Sequence, residues 1–159
     1  NEQMQKNLNL KVKFRESFRP FAPAILIEDV NEWFEMEYES PYMLFVDKIK
    51  PDKKVEIKKD EENLFGIDKL NIKRSEIPAV THVDYSARIQ TVDKKRNKKF
   101  YYLISKFKEK TSCPILINTS FNIRGEPIVC SPLDAFKCFL STNIDTLIIE
   151  NFYLEKSEN

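Results

Sequence analysis

A chain of 159 residues with 42% hydrophobic, 12% aromatic and 32% charged content has enough apolar mass for a core, which excludes intrinsic disorder and describes one folded domain. Its 26 basic and 25 acidic residues leave a net charge of +1, so no global field draws it to nucleic acid or to an anionic membrane, and any anion binding must be local. Three cysteines, Cys113, Cys130 and Cys138, lack Cys-x-x-Cys spacing, which reads as free thiols in a reducing compartment and favours the cytoplasm.

Residues 1–12 are polar, without an initiator Met or the apolar core of a signal peptide, and read as a disordered stretch or linker of a chain cut from something longer. The folded domain is expected over 13–156, and no stretch reaches the roughly 18 apolar residues of a membrane span. Segment 13–23 sets three cations, Lys13, Arg15 and Arg19, between aromatic and proline anchors. In extended geometry these side chains share a face, and Pro20 biases Arg19 towards it. Two readings stand. One is an anion site, with arginine as a planar fork and lysine as a point charge; the other is a solvated strand paired with Glu16 and Glu28.

Apolar runs at 24–27, 42–46, 77–80, 115–117 and 146–149 read as strands of one sheet. Between them, 47–76 is dominated by lysine and acidic residues around Leu64 and Phe65, and reads as an exposed excursion or β-hairpin that could serve as a flap. Segment 81–92 presents Arg88 among hydrogen-bonding side chains, either a further anion contact or an ordinary polar turn. Phe100, Leu103, Ile104 and Phe107 recur at helical spacing over 98–110, giving a helix that covers the sheet. The basic run 94–99 just ahead of it reads as a solvated helix start, with an RNA contact as the alternative. Trp33, Phe34 and Tyr38 stand beside acidic residues and are candidates to cover a domain interface.

Loop 118–127 follows an apolar run and gathers Asn118, Thr119, Ser120, Asn122, Arg124 and Glu126, the build of an active-site loop on an α/β sheet. A second helix starts at Ser131 as N-cap, with Pro132 at its first position, Asp134 in its first turn, and Leu133, Phe136, Phe139 and Leu140 inward. Residue counts remove several chemistries. With only Gly66 and Gly125 there is neither a Walker phosphate loop nor a Gly-x-Gly-x-x-Gly turn, so phosphates must be held by side chains. The single His82 excludes a multi-histidine metal site and reads as a strand-end histidine rather than a catalytic one.

Several motifs in order then resemble one family. Lys-x-Arg-Glu-x-Phe-Arg-Pro-Phe-Ala-Pro stands at 13–23, Ser-Pro-Tyr-Met at 40–43, Ile-Pro-Ala-Val-Thr-His-Val-Asp at 77–84, Ala-Arg-x-Gln-Thr-Val at 87–92, and Asn-Thr-Ser-Phe-Asn-x-x-Gly-Glu-Pro-Ile-Val at 118–129. Together they resemble the C-terminal domain of the O-carbamoyltransferases that include the NodU nodulation proteins and the cephamycin and tobramycin carbamoyltransferases. The likeness runs from Lys13 to beyond Asp145.

The resemblance implies an α/β (α+β) domain of YrdC-like fold, a twisted mixed sheet with helices packed on it. It implies a carbamoyltransferase that uses carbamoyl phosphate and ATP to make carbamoyl-adenylate. The carbamoyl group would pass to an acceptor hydroxyl in a separate actin-like N-terminal domain, of the same or another chain, which holds Fe2+. Lys13, Arg15, Arg19 and Arg88 would bind carbamoyl phosphate and the nucleotide phosphates. Ser120 and Asn122 match a Ser-x-Asn signature that contacts the adenylate, with Asn118, Thr119 and Glu126 as further members. Mg2+ is the expected companion of ATP, with no ligand assigned to it; monomer and homodimer both stay open. Where the family has Gly-Thr, this chain has Tyr85 and Ser86; Ser112 replaces a common Gly, Ser17 a common Trp, and 47–76 is longer than usual. The alternatives are an RNA- or nucleotide-binding module and a catalytically silent interaction domain.

Overall fold

A computed structural model describes residues 1–59, 61 and 63–156. The architecture is mixed α/β, as expected, and its contacts divide into two compact units: Asn1–Glu2 with Pro20–Thr119, and Gln3–Arg19 with Ser120–Asn159.

The first unit is built on a four-stranded sheet of order β2-β3-β1-β4, with β1 at Ala22–Leu26, β2 at Phe45–Lys48, β3 at Ser86–Val92 and β4 at Ile115–Asn118. β1 runs parallel to β3 (Ile25 opposite Thr91) and antiparallel to β4 (Ala24 opposite Leu116), while β2 and β3 are antiparallel. Every residue of β1 is buried, so both faces of this internal strand are covered. The helix α4, Lys98–Thr111, packs on β1 and β4 and closes a core of Ala24, Leu26, Val92 and Ile104. Only Ile104 of its apolar stripe is fully buried; Leu103, expected inward, is 57% exposed.

Three strand expectations change. Residues 78–80 form a 3-10 turn, because Pro78 has no N–H for a sheet ladder and its fixed φ suits the first position of a helical turn. At 42–46 the strand begins only at Phe45, since Met43 adopts φ 56° and breaks the run before it. The polar segment 81–92 supplies β3, which alternates outward Arg88 with wholly buried Ala87 and Ile89. Trp33 and Phe34 are core residues rather than interface covers, Trp33 closing the short helix α2 (Val30–Trp33) and Phe34 bridging to Ile49.

The excursion 47–76 takes in the last two residues of the edge strand β2, the one-turn helix α3 (Ile67–Leu70) and an antiparallel bridge between Lys54 and Ser75. In the basic run, Arg96 pairs with Glu39 at 2.6 Å and Asp93 at 2.8 Å, so it forms the braced turn ahead of α4. His82 donates its backbone N–H to Ser86 O at the turn into β3.

Two positions where the resemblance sets glycine have left-handed backbone here: Tyr85 at φ 65° and Ser112 at φ 60°. Ser112 is the C-cap of α4, its N–H returning to Lys108 O, the geometry glycine adopts without a Cβ clash. Ser112→Gly is therefore expected to stabilise the chain by about 1 kcal/mol, seen as a melting temperature about 2–4 °C higher. An unchanged or lower melting temperature would show that the cap is not strained.

The second unit contains α1 (Glu2–Asn7), a π-helical turn (Leu8–Val12), α5 (Pro132–Leu140) and the hairpin β5–β6 (Thr146–Ile149 with Phe152–Glu155). Of residues 1–12, expected as a disordered stretch or linker, 2–12 are thus helical. Ser131 caps α5 through a full capping box, accepting from Asp134 N while the Asp134 carboxylate accepts from Ser131 N. The buried face of α5 is Ala135, Cys138 and Phe139, packed against Leu147; Leu133, Phe136 and Leu140 face outward, against expectation. All three cysteines are free thiols. Among the described residues, no helix is long and apolar enough to cross a membrane.

Candidate anion site

The second unit's cationic segment is not extended. The π-helical turn ends at Lys13, whose N–H donates to Leu8 O at 2.8 Å, and Phe14 then reverses the chain at φ 48°. Lys13, Arg15 and Arg19 still converge, because a tight turn rather than a strand face gathers them. Arg15 N donates to Asn9 O at 2.9 Å and Arg15 Nε to Asn9 Oδ1 at 2.6 Å. Gln5 Nε2 donates to the carbonyls of Phe18 and Arg19, each at 3.1 Å.

The hydrogen bonds that tie loop 120–125 to this turn come from Lys13. Lys13 is 6% exposed, and its ammonium donates to Ser120 O at 2.8 Å, Asn122 O at 2.8 Å and Asn122 Oδ1 at 2.7 Å, with Ser120 Oγ at 3.3 Å. Ser120 Oγ donates to Asn122 Oδ1 at 2.7 Å, and Asn122 Nδ2 to Glu126 O at 2.9 Å. Gly125, at φ 84°, makes the reversal that lets the loop close on itself. Burial, and then the neighbouring Arg15, pull the Lys13 ammonium below the usual lysine value. The oxygens around it act the other way, since hydrogen bonds to a cation favour its charged form.

Between turn and loop lies a pocket of about 200 Å³ lined by Lys13, Arg15, Arg19 and Arg124 with Glu16, and by Ser120 and Asn122. Glu16 pairs with Arg19 at 2.9 Å and lies 3.9 Å from Arg124. Its own backbone N–H first, and then the two arginines, hold its carboxyl below the usual range. Four cations against one carboxylate make the pocket positive. Its volume is below the roughly 300–1,000 Å³ of sites for drug-sized ligands, so it suits one small anionic group rather than a whole nucleotide.

Of the residues singled out by sequence, Lys13, Arg15, Arg19, Ser120 and Asn122 come together here. Glu126 is exposed and contributes its carbonyl to the loop. Arg88, Asn118 and Thr119 belong to the first unit: Arg88 is exposed on β3 opposite Val46, and Asn118 ends β4 with its amide donated to Gln90 Oε1. Sequence reasoning passed over Asn9, whose only signal was a polar residue in a segment read as linker. Arg124, named only as a member of loop 118–127, joins the anion contacts here. Among the described residues, no group of three or more His, Cys, Asp or Glu is placed to hold a metal ion. The pocket's carboxylate is already engaged by Arg19, so no residue here is assigned to Mg2+.

Residues 1–156 match the family model described as "Carbamoyltransferase C-terminus". An uncharacterised protein of Synechocystis sp. is 53% identical over 157 residues, covering 99% of this chain and 26% of that protein. Nodulation protein NolNO of Sinorhizobium fredii is 41% identical over 152 residues, 94% of this chain and 19% of that protein. A 3'-hydroxymethylcephem-O-carbamoyltransferase of Amycolatopsis lactamdurans is 29% identical over 148 residues, 93% of this chain and 24% of the enzyme. The chain thus spans between a fifth and a quarter or so of the length of these relatives.

Proposed function

This chain belongs to the carbamoyltransferase C-terminus family, and on that premise we propose that it is the C-terminal domain of an ATP-dependent O-carbamoyltransferase whose pocket at Lys13, Arg15 and Arg19 holds the phosphate of carbamoyl phosphate. The observation that carries the reading is the small positive pocket with its loop clamped by a buried lysine. Fixed guanidinium groups stabilise phosphate charge without reorganising when the ligand arrives, which is how positioning and electrostatics supply rate in phosphate chemistry.

In the proposed sequence, water cleaves carbamoyl phosphate to carbamate and phosphate. A carbamate oxygen then attacks the α-phosphorus of ATP and displaces pyrophosphate, giving carbamoyl-adenylate. Arg15 and Arg19 take the phosphate charge of the first step, and Ser120 and Asn122 fix the loop that borders it. Mg2+, entering with ATP, would neutralise the polyphosphate. The acceptor hydroxyl would be supplied in a separate N-terminal domain, consistent with relatives about four times the length of this chain.

Calorimetric titration with carbamoyl phosphate tests the reading. Saturable binding by the parent chain, weakened roughly 10- to 100-fold in Arg15→Ala, is expected from the loss of charged hydrogen bonds. Absence of binding by the folded chain, or an Arg15→Ala variant that binds as the parent does, would overturn it.

A further inference from the structure

The side chain of Asn9 is wholly buried in the π-helical turn, and it meets three partners. Its Oδ1 accepts from Arg15 Nε at 2.6 Å; its Nδ2 donates to Ser17 O at 3.0 Å and Arg19 O at 2.8 Å. A guanidinium nitrogen can only donate and a peptide carbonyl can only accept, so these partners fix which way the amide faces. Arg15 is held to the same residue a second time through its backbone N–H, which donates to Asn9 O.

We propose that Asn9 is the positioning residue of the anion site, aiming Arg15 through its Nε and fixing the Arg19 backbone through its carbonyl. The proposal rests on the anion-site reading above. Arginine is useful at such a site because its guanidinium is a rigid plane, but the plane sits on a long flexible stem and helps only when its direction is set. Engaging Nε sets that plane. The two carbonyls taken up by the Asn9 amide, of Ser17 and Arg19, belong to the turn that Arg19 N closes on Glu16 O, so one side chain ties both arginines to the same turn. Gln5, donating to Phe18 O and Arg19 O, braces the same turn from α1. Asn9 stands in the π-helical turn, a rare form of helix that is frequent at functional sites.

A merely structural asparagine would affect folding alone, whereas a positioning residue changes the state of Arg15. The test therefore reads Arg15 directly, by hydrogen exchange of its Nε–H in the NMR spectrum, with inorganic phosphate as the titrated probe. In the parent chain the Arg15 Nε–H is expected to exchange well below the rate of exposed Arg124. In Asn9→Ser, whose hydroxyl is too short to reach all three partners, that protection should vanish and phosphate affinity should fall about tenfold, with circular dichroism showing an intact fold.

An Arg15 Nε–H in the parent that exchanges as fast as that of Arg124 overturns the proposal even if the variant cannot be folded. So does a folded Asn9→Ser variant with parental phosphate affinity. If the parent shows protection yet binds no phosphate, the anion-site reading falls while the hold of Asn9 on Arg15 stands.

Discussion

Replacing Lys13 by methionine is expected to weaken carbamoyl phosphate binding by roughly 10- to 100-fold, because loop 120–125 loses the cation that draws it onto the arginine turn. Its effect on stability is expected to be smaller. The substitution frees the carbonyls of Ser120 and Asn122, but Ser120 is exposed and water can take up much of what the ammonium gives. It also removes the cost of burying a charged group. With these terms opposed, the net loss should be about 1–2 kcal/mol, a fall of a few degrees in melting temperature. Titration and a thermal melt on the same variant separate the two effects. Parental affinity in folded Lys13→Met would mean that the clamp does not shape the pocket.

Ile89→Ala is expected to have the largest effect on folding itself. Ile89 is wholly inaccessible on β3, paired with Phe45 on one side, in a strand whose other neighbour is β1. Truncating it at the centre of the sheet leaves a cavity that neighbours hydrogen-bonded on both sides cannot close, at a cost of about 2–5 kcal/mol. With a urea slope of about 1–3 kcal/mol/M, the midpoint should fall by about 1–3 M at unchanged slope. A shift too small to resolve would mean that the sheet repacks around the gap.

The position of Ile89 also shows what the sequence did not make legible. Its strand reads Ser-Ala-Arg-Ile-Gln-Thr-Val, where polar residues fill buried positions by finding hydrogen-bond partners: Thr91 Oγ1 accepts from Ser40 N, far off in the chain, and Ser86 donates its hydroxyl to Asp84 two residues before it. Composition therefore pointed to a turn while the alternation of Ala87, Ile89 and Thr91 was that of a strand. Residues 78–80 failed in the opposite sense: apolar content suggested a strand, but Pro78 decided for a helical turn. On α5 the N-cap was read correctly from Ser131, Pro132 and Asp134, since capping is local chemistry. Which face is buried depends on the hairpin it packs against, and that rotated the inward side to Ala135, Cys138 and Phe139. At the site, the grouping of Lys13, Arg15 and Arg19 with Ser120 and Asn122 was legible from charge and motif. The turn geometry that joins them was not, because it depends on the buried amide of Asn9 in a segment whose polar composition resembled a linker.

The clamp of Lys13 on Ser120 and Asn122 joins residues 107 and 109 positions apart, with nearly the whole first unit lying between them in the chain. During synthesis the lysine leaves the ribosome long before its acceptors exist. At roughly 5–20 residues per second that interval is on the order of 5–20 s, ample for residues 20–119 to fold first. Asn9, Arg15 and Lys13 must spend it without their loop, and the pocket is among the last parts of the chain to be assembled. A release of the nascent chain before residue 122 would leave a finished sheet and no anion site.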